Sequence, residues 1–215
     1  MKEYKTILFD LDGTLTDPGE GITNSVAYAL KKFGIEVDDK KKLYCFIGPP
    51  LLYSFTHFYN LSEEDSQKAL AYYREYYADK GIFENRIYDG MMELLADLKK
   101  GGRKLVVATS KPEHFAKTVL DNFDITQYFD YISGATLDEK RVEKTEIIDY
   151  AIKELSIDLS SAVMIGDRKF DIDGAHHFGI DSIGVLFGYG GYDELKKSGA
   201  TYIVKNVDEI RKILL

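Results

Sequence analysis

A chain of 215 residues that is 45% hydrophobic can bury a sizeable core and is too apolar to belong among disordered sequences. Its net charge of −8 excludes broad nucleic-acid binding driven by phosphate neutralisation, but admits a small anionic substrate, because a metal ion and one or two lysines can invert the field locally. No run of about 18 apolar residues occurs, so no membrane span is expected, and the single cysteine, Cys45, rules out an internal disulfide and makes a cytoplasmic location the default.

Met1 to Lys5 lead straight into the first predicted strand, which leaves no room for a signal peptide. That strand, Ile7-Leu8-Phe9, ends abruptly in Asp10, Asp12, Gly13 and Thr14. An apolar run bounded by turn residues suits a strand buried on both faces. In an open α/β sheet, chemistry collects where strands end at their carboxyl side. Two acids two residues apart at that edge are costly for stability alone, since carboxylates are rarely buried unpaired and like charges repel. An Asp-Gly turn with solvated acids is the plain alternative. The functional reading is a carboxylate nucleophile beside a second carboxyl that handles protons.

Beyond the loop flanked by Gly19 and Gly21, the residues Ile22, Val26, Leu30 and Phe33 recur at helical spacing, and Gly34 suits a C-cap. Strand-like runs then vanish until about residue 88. Tyr44, Tyr53, Phe55, Phe58, Tyr59, Tyr72, Tyr73, Tyr76 and Tyr77 crowd into short helical patterns, with Ser62 as a helix start before Glu63, Glu64 and Asp65. Residues 17–85 therefore read as an inserted helical bundle between two pieces of one core, 1–16 and 86–215.

From Asp89 strands and helices alternate again. Helices are expected at 91–100, 112–122, 144–155 and 171–178, and strands at 104–109, 131–133, 162–165 and 182–186. Two weaker helices bracket Tyr202-Ile203-Val204. Repeated β-α order implies a doubly wound parallel sheet. Ser110 reads most simply as the N-cap of the 112–122 helix, with Pro112 in its first turn. Lys144 opens a helix after a charged loop, where a lysine is ordinarily solvated. Asp167 ends an apolar strand and Asp171 follows four residues later, so both acids can converge on one ion, although Asp171 also suits a helix N-terminus. His176 and His177 read as satisfied or exposed, Gly188-Tyr189-Gly190-Gly191 reads as a loop, and Cys45 has no partner motif.

The segment Asp10-Leu11-Asp12-Gly13-Thr14 resembles the first motif of the haloacid dehalogenase-like phosphohydrolases, and Thr109, Lys144 and the Asp167/Asp171 pair are similar to the family's later motifs in the same order. The resemblance spans essentially the whole chain. It implies an α/β, doubly wound, Rossmann-like core with a small α-helical cap inserted after the first motif. It implies Asp10 as nucleophile, Asp12 as acid and base, Thr109 and Lys144 on the transferring phosphoryl group, and Gly13, Thr14, Ser110 and Lys111 as substrate contacts. A magnesium ion is implied at Asp10, Asp12 (by its backbone carbonyl), Asp167 and Asp171. The proline that usually follows the family's lysine is absent, Thr145 standing there, so Lys111 and Lys140 are rival candidates.

Relatives that cleave carbon–halogen bonds lack an acid at the position of Asp12, so the resemblance points to phosphate esters or anhydrides. Ile47-Gly48-Pro49-Pro50-Leu51 is similar to the cap loop of phosphoglycolate phosphatase-like and nucleotide 5′-phosphatase-like members; a proline-terminated turn explains it equally well. The tyrosines of 72–77 could stack a base, but packing is the commoner use of such a stripe. The implied partner is a small phosphorylated metabolite, with no nucleic-acid polymer and no membrane, acted on by a monomer or homodimer. A phosphomutase, a pyrophosphatase and a non-catalytic binding protein are the competing classes.

Overall fold

The computed structural model describes residues 2–138 and 140–215. The chain forms two compact units, one made of the residues up to Thr16 together with Ile87–Leu215, the other of Asp17–Arg86. It passes between them twice, at β2 (Thr16–Asp17) and β3 (Arg86–Ile87), two-residue strands that pair with each other.

The first unit is a six-stranded parallel sheet. Its strands are β1 (Thr6–Phe9), β4 (Lys104–Pro112), β5 (Tyr131–Ala135), β6 (Ala162–Gly166), β7 (Asp181–Val185) and β8 (Tyr202–Val204), in the spatial order β5-β4-β1-β6-β7-β8. Ile7, Leu8, Phe9, Val106, Val107, Val163 and Ile165 are all fully buried, as residues on both faces of a covered parallel sheet must be. Successive side chains alternate between the faces. Leu8, Val106, Ala108 and Met164 pack with Ile147, Ile148 and Ala151 of α6 (Lys144–Leu155) and Ala175 of α7 (Lys169–His177). On the other face Phe9 meets Phe129 edge-on, with centroids 6.2 Å apart. The chain winds outward from β1 through β4 to β5 and then crosses back to β6, so the winding reverses beside β1. Phe9 pairs with both Val107 and Ile165, so three strands approach their carboxyl ends at one level. That is the crevice where α/β sheets bind ligands.

The remaining helices of this unit are α4 (Met91–Lys100), α5 (Glu113–Asn122), α8 (Tyr192–Lys197) and α9 (Val207–Leu214). Several boundaries differ from expectation by one to three residues, and those at α5 and α7 bear on the site. β4 runs on to Pro112, which pairs with Ala135 across a register shift after Thr109, so α5 opens at Glu113 with Pro112, not Ser110, at its N-cap. α7 opens at Lys169, placing Asp171 inside its first turn.

The second unit is helical: α1 (Gly19–Lys31), a tight turn over Lys40–Phe46, α2 (Leu51–Tyr59) and α3 (Glu63–Tyr76), followed by a wider turn at Tyr77–Gly81. Gly34, at φ 73°, closes the turn after α1, and the Ser62 hydroxyl caps α3 by accepting from the Asp65 N–H at 3.1 Å. The tyrosine stripe is packing: Tyr73 and Tyr77 are buried and stacked at 5.4 Å, Tyr72 meets Phe33 edge-on, and Tyr76 lies against Tyr28. Among the described residues no helix is long and apolar enough to cross a membrane.

Candidate active site

Asp10 leaves β1 with its backbone N–H bonded to Ile165 O at 2.9 Å, which holds it between β1 and β6. One carboxylate oxygen of Asp10 accepts from Lys144 Nζ at 2.9 Å. The same ammonium lies 2.8 Å from Asp171 Oδ1 and donates to Ala108 O at 2.9 Å. Lys144 can reach so far because it is the first residue of α6, whose start is fixed by Glu146 accepting the N–H groups of Val142 and Glu143 at 3.0 and 3.1 Å. Asp167, just beyond β6, is fully buried, and its Oδ2 accepts the Tyr189 N–H at 2.7 Å. Asp171 Oδ2 accepts the Arg168 N–H at 3.0 Å. One carboxylate oxygen from each of Asp10, Asp167 and Asp171 lies within 4.8 Å of the others.

Asp12 stands apart from that trio, its Oδ2 paired with Lys111 Nζ. Gly13 turns the chain at φ +85°, and a Cβ there would fall 2.3 Å from Asp167 Oδ2, so only glycine fits. Thr14 and Thr109 are buried, and the Thr109 hydroxyl accepts the Lys111 N–H at 3.2 Å. The buried oxygens Asp12 Oδ1, Thr14 Oγ1 and Asp167 Oδ1 have no hydrogen-bond partner among the described residues. Buried polar atoms are nearly always paired, so a patch of unpaired ones marks where a ligand's atoms belong.

Charge accounts for the protonation behaviour. Burial, with the charges of Asp171 and Asp10 added, pushes the Asp167 carboxyl well above the usual carboxylate range. Burial also raises Asp12, against the pull of Lys111. Asp171 is pushed up to about 6 by burial and by Asp10, with Lys144 opposing. Burial pulls Lys144 down, but Asp10 and Asp171 more than offset it, so the ammonium is held charged above the ordinary lysine value. Asp10 and Asp171 share one lysine with Asp167 beside them, a crowding of acids that a hard divalent cation matches, and all the donors are oxygens.

The sequence-derived candidates thus divide. Asp10, Asp12, Gly13, Thr14, Thr109, Lys111, Lys144, Asp167 and Asp171 gather at one edge of the sheet. Ser110 lies on the extended end of β4 and does not cap α5, because the strand continues two residues past it. Lys140 is out of contention: its side chain is 83% exposed and pairs with Asp138 at 2.9 Å. His176 and His177 are exposed at the end of α7. The loop of residues 188–191 is more than a connector. A Cβ at Gly188 would lie 2.4 Å from Asp167 Cβ, and one at Gly190 would lie 1.8 Å from Asp167 O, so the loop closes directly over that acid. Its three glycines in four residues were the available signal. Glu194 was also missed; it accepts from Arg168 Nε at 2.9 Å and the Lys169 N–H at 2.8 Å and steadies the start of α7.

The family profile described as haloacid dehalogenase-like hydrolase matches residues 7–185. The chain belongs to this family. It is a phosphatase of the haloacid dehalogenase-like hydrolases, acting on small phosphorylated substrates. A protein of Pseudomonas aeruginosa named 5′-nucleotidase is 42% identical over 98% of this chain and 96% of its own length. The tyrosine-protein kinase PtkA of Mycobacterium tuberculosis is 38% identical over 97% of this chain and 72% of its own. The crystal structure of a predicted phosphatase from Clostridium acetobutylicum superposes with a TM-score of 0.96 at 51% identity, covering 99% of this chain and 98% of that one. Haloacid dehalogenase-like hydrolases generally use magnesium, and the carboxylate trio has the oxygen donors that ion prefers.

Proposed function

We propose that the chain is a magnesium-dependent phosphomonoesterase that works through a phosphoaspartyl intermediate on Asp10. The observation that carries this reading is the Lys144 ammonium, bound at once to Asp10 and Asp171 beside the buried, half-unpaired Asp167. Lys144 holds one Asp10 oxygen, which leaves the other to attack phosphorus. The Asp12 carboxyl, whose proton affinity burial raises against the pull of Lys111, gives a proton to the leaving oxygen and then takes one from the water that hydrolyses the intermediate. Thr109, Thr14, the Gly13 turn and Lys111 would surround the phosphoryl group. Asp10, Asp167, Asp171 and the backbone carbonyl of Asp12 would hold the magnesium ion, which supplies charge neutralisation and stabilises the transition state's spread of negative charge.

The substrate class is a small phosphomonoester, with a nucleoside 5′-monophosphate ahead of phosphoglycolate because the relative from Pseudomonas aeruginosa carries the 5′-nucleotidase name over nearly its whole length. The helical insert, residues 17–85 in the sequence reading, is the cap that selects among them. The reading includes a cytoplasmic setting. A panel of phosphorylated metabolites, assayed for phosphate release with magnesium and again with EDTA, tests it. Activity is expected to be highest on nucleoside monophosphates and to disappear with chelation. Equal turnover in EDTA would refute the metal role, and labelled phosphate passing from ATP to tyrosine without release would move the acceptor from water to a hydroxyl.

A further inference from the structure

Lys111 and Lys144 reach the site on separate segments. Lys111 lies at the end of β4, two residues before α5 begins at Glu113, and Lys144 is the first residue of α6. One contacts Asp12, the other Asp10 and Asp171, so their spacing sets where the proton donor stands relative to the nucleophile.

Besides the Lys144 bond to Ala108 O, the Arg141 side chain links the two segments. Arg141 Nε donates to Gly134 O at 3.0 Å, and its Nη2 donates to the Glu113 carboxylate at 3.2 Å. Its guanidinium carbon lies 3.9 Å from the ring centroid of Tyr150, on α6. The Arg141 backbone is tied as well: Thr136 N–H donates to Arg141 O at 2.9 Å, and Arg141 N–H donates to Thr136 Oγ1 at 3.1 Å. Gly134, on β5, lies directly against the Lys111 segment, since a Cβ there would fall 2.6 Å from Glu113 Cα and 2.9 Å from Lys111 O. The Arg141 side chain is 18% exposed but Glu113 is 49% exposed, so the ion pair contributes little by itself. The carbonyl bond to β5 and the stacking on α6 carry the connection, which reaches Lys111 through the close contact of Gly134 with the Lys111 and Glu113 backbone. Both need a planar, forked cation, which lysine does not provide.

We infer that Arg141 is a positioning residue that fixes the distance between the two lysines, an inference that rests on the phosphoryl-transfer reading above. It touches no reacting atom. Its loss lets α5 and α6 drift relative to one another, and a displacement of roughly 1 Å at a reacting pair costs on the order of 10²-fold.

The experiment is steady-state hydrolysis of p-nitrophenyl phosphate with magnesium by the full chain and its variants. Arg141→Ala and Arg141→Lys are each expected to lower kcat by about 10- to 100-fold with KM changed by less than about threefold. Combining Arg141→Ala with Lys111→Met distinguishes positioning from general weakening. If Arg141 acts through the lysine, the double variant loses little beyond Lys111→Met alone; losses that multiply in full would overturn the inference. Should Arg141→Ala fail to fold, Arg141→Lys carries the same cycle, and wild-type kcat in Arg141→Lys likewise overturns it. An inactive wild type would sink the functional reading, whereas an active wild type with unaffected Arg141 variants sinks this inference alone.

Discussion

Replacing Lys144 by Met removes the cation shared by Asp10 and Asp171 and leaves two buried acids facing each other. At 2.9 Å and an effective dielectric near 20, each lysine–carboxylate pair is worth about 6 kcal/mol before desolvation. Removing one partner of a buried pair costs about 3–5 kcal/mol net. For a chain of 215 residues that lowers Tm by roughly 6–20 °C, at about 2–4 °C per kcal/mol. The loss depends on pH in a defined direction. The raised pKa of Lys144 keeps its charge in the wild type at every pH below the ordinary lysine value, so its contribution is present at about pH 5 and about pH 7.5 alike. In the variant, acids deprived of the ammonium bind protons more tightly when folded than when unfolded, so stability falls as pH rises above about 4. The deficit against wild type is therefore larger at about pH 7.5 than at about pH 5. Thermal melts of both proteins in EDTA at the two pH values read this directly. A variant within about 2 °C of wild type, or a deficit that shrinks as pH rises, would refute the electrostatic account of the site.

Asp10→Asn should fold normally yet lose on the order of 10³-fold or more in kcat, checked by phosphate release alongside a melt; turnover near wild type would remove Asp10 as nucleophile. Metal-free wild type should lose stability as pH rises from about 4 to about 7, about 3 kcal/mol of it from the Asp171 carboxyl, pushed up to about 6 by burial and Asp10 despite Lys144, with the raised Asp167 and Asp12 adding in the same direction. Urea midpoints in EDTA should fall across that window, and magnesium should restore more at the upper end than at the lower; a flat profile contradicts this. Gly190→Ala should weaken magnesium binding by about tenfold in calorimetry, since its Cβ would lie 1.8 Å from Asp167 O, while Gly191→Ala, with nothing within 4 Å of its Cβ, should bind as wild type. Equal affinities in the two variants would show that the loop does not orient Asp167.

Much of the core was legible in the sequence because its signals are local. The runs Ile7-Leu8-Phe9 and Ala162-Val163-Met164-Ile165 announce buried parallel strands, and each ends in an acid that burial would penalise without a ligand. Asp10, Asp12, Asp167 and Asp171 could be named as site residues for that reason, and Thr109 and Lys144 from their order along the resemblance. Local pattern could not show which lysine reaches in. Lys111, Lys140 and Lys144 look alike as letters, but only the winding of β4, β5 and α6 around β1 brings two of them to the buried acids at the sheet edge and leaves Lys140 in solvent beside Asp138. The Ser110 cap failed similarly, because pairing of Pro112 with Ala135 prolongs β4 at the expense of the helix start. The clasp of residues 188–191 on Asp167 and the reach of Arg141 to Glu113 join positions far apart in sequence. Composition and periodicity therefore determined the strands, the helical insert and the acids at the sheet edge. Tertiary structure alone decided which charges meet, because a charge's partner is set by distance in space and its energy by the water removed around it.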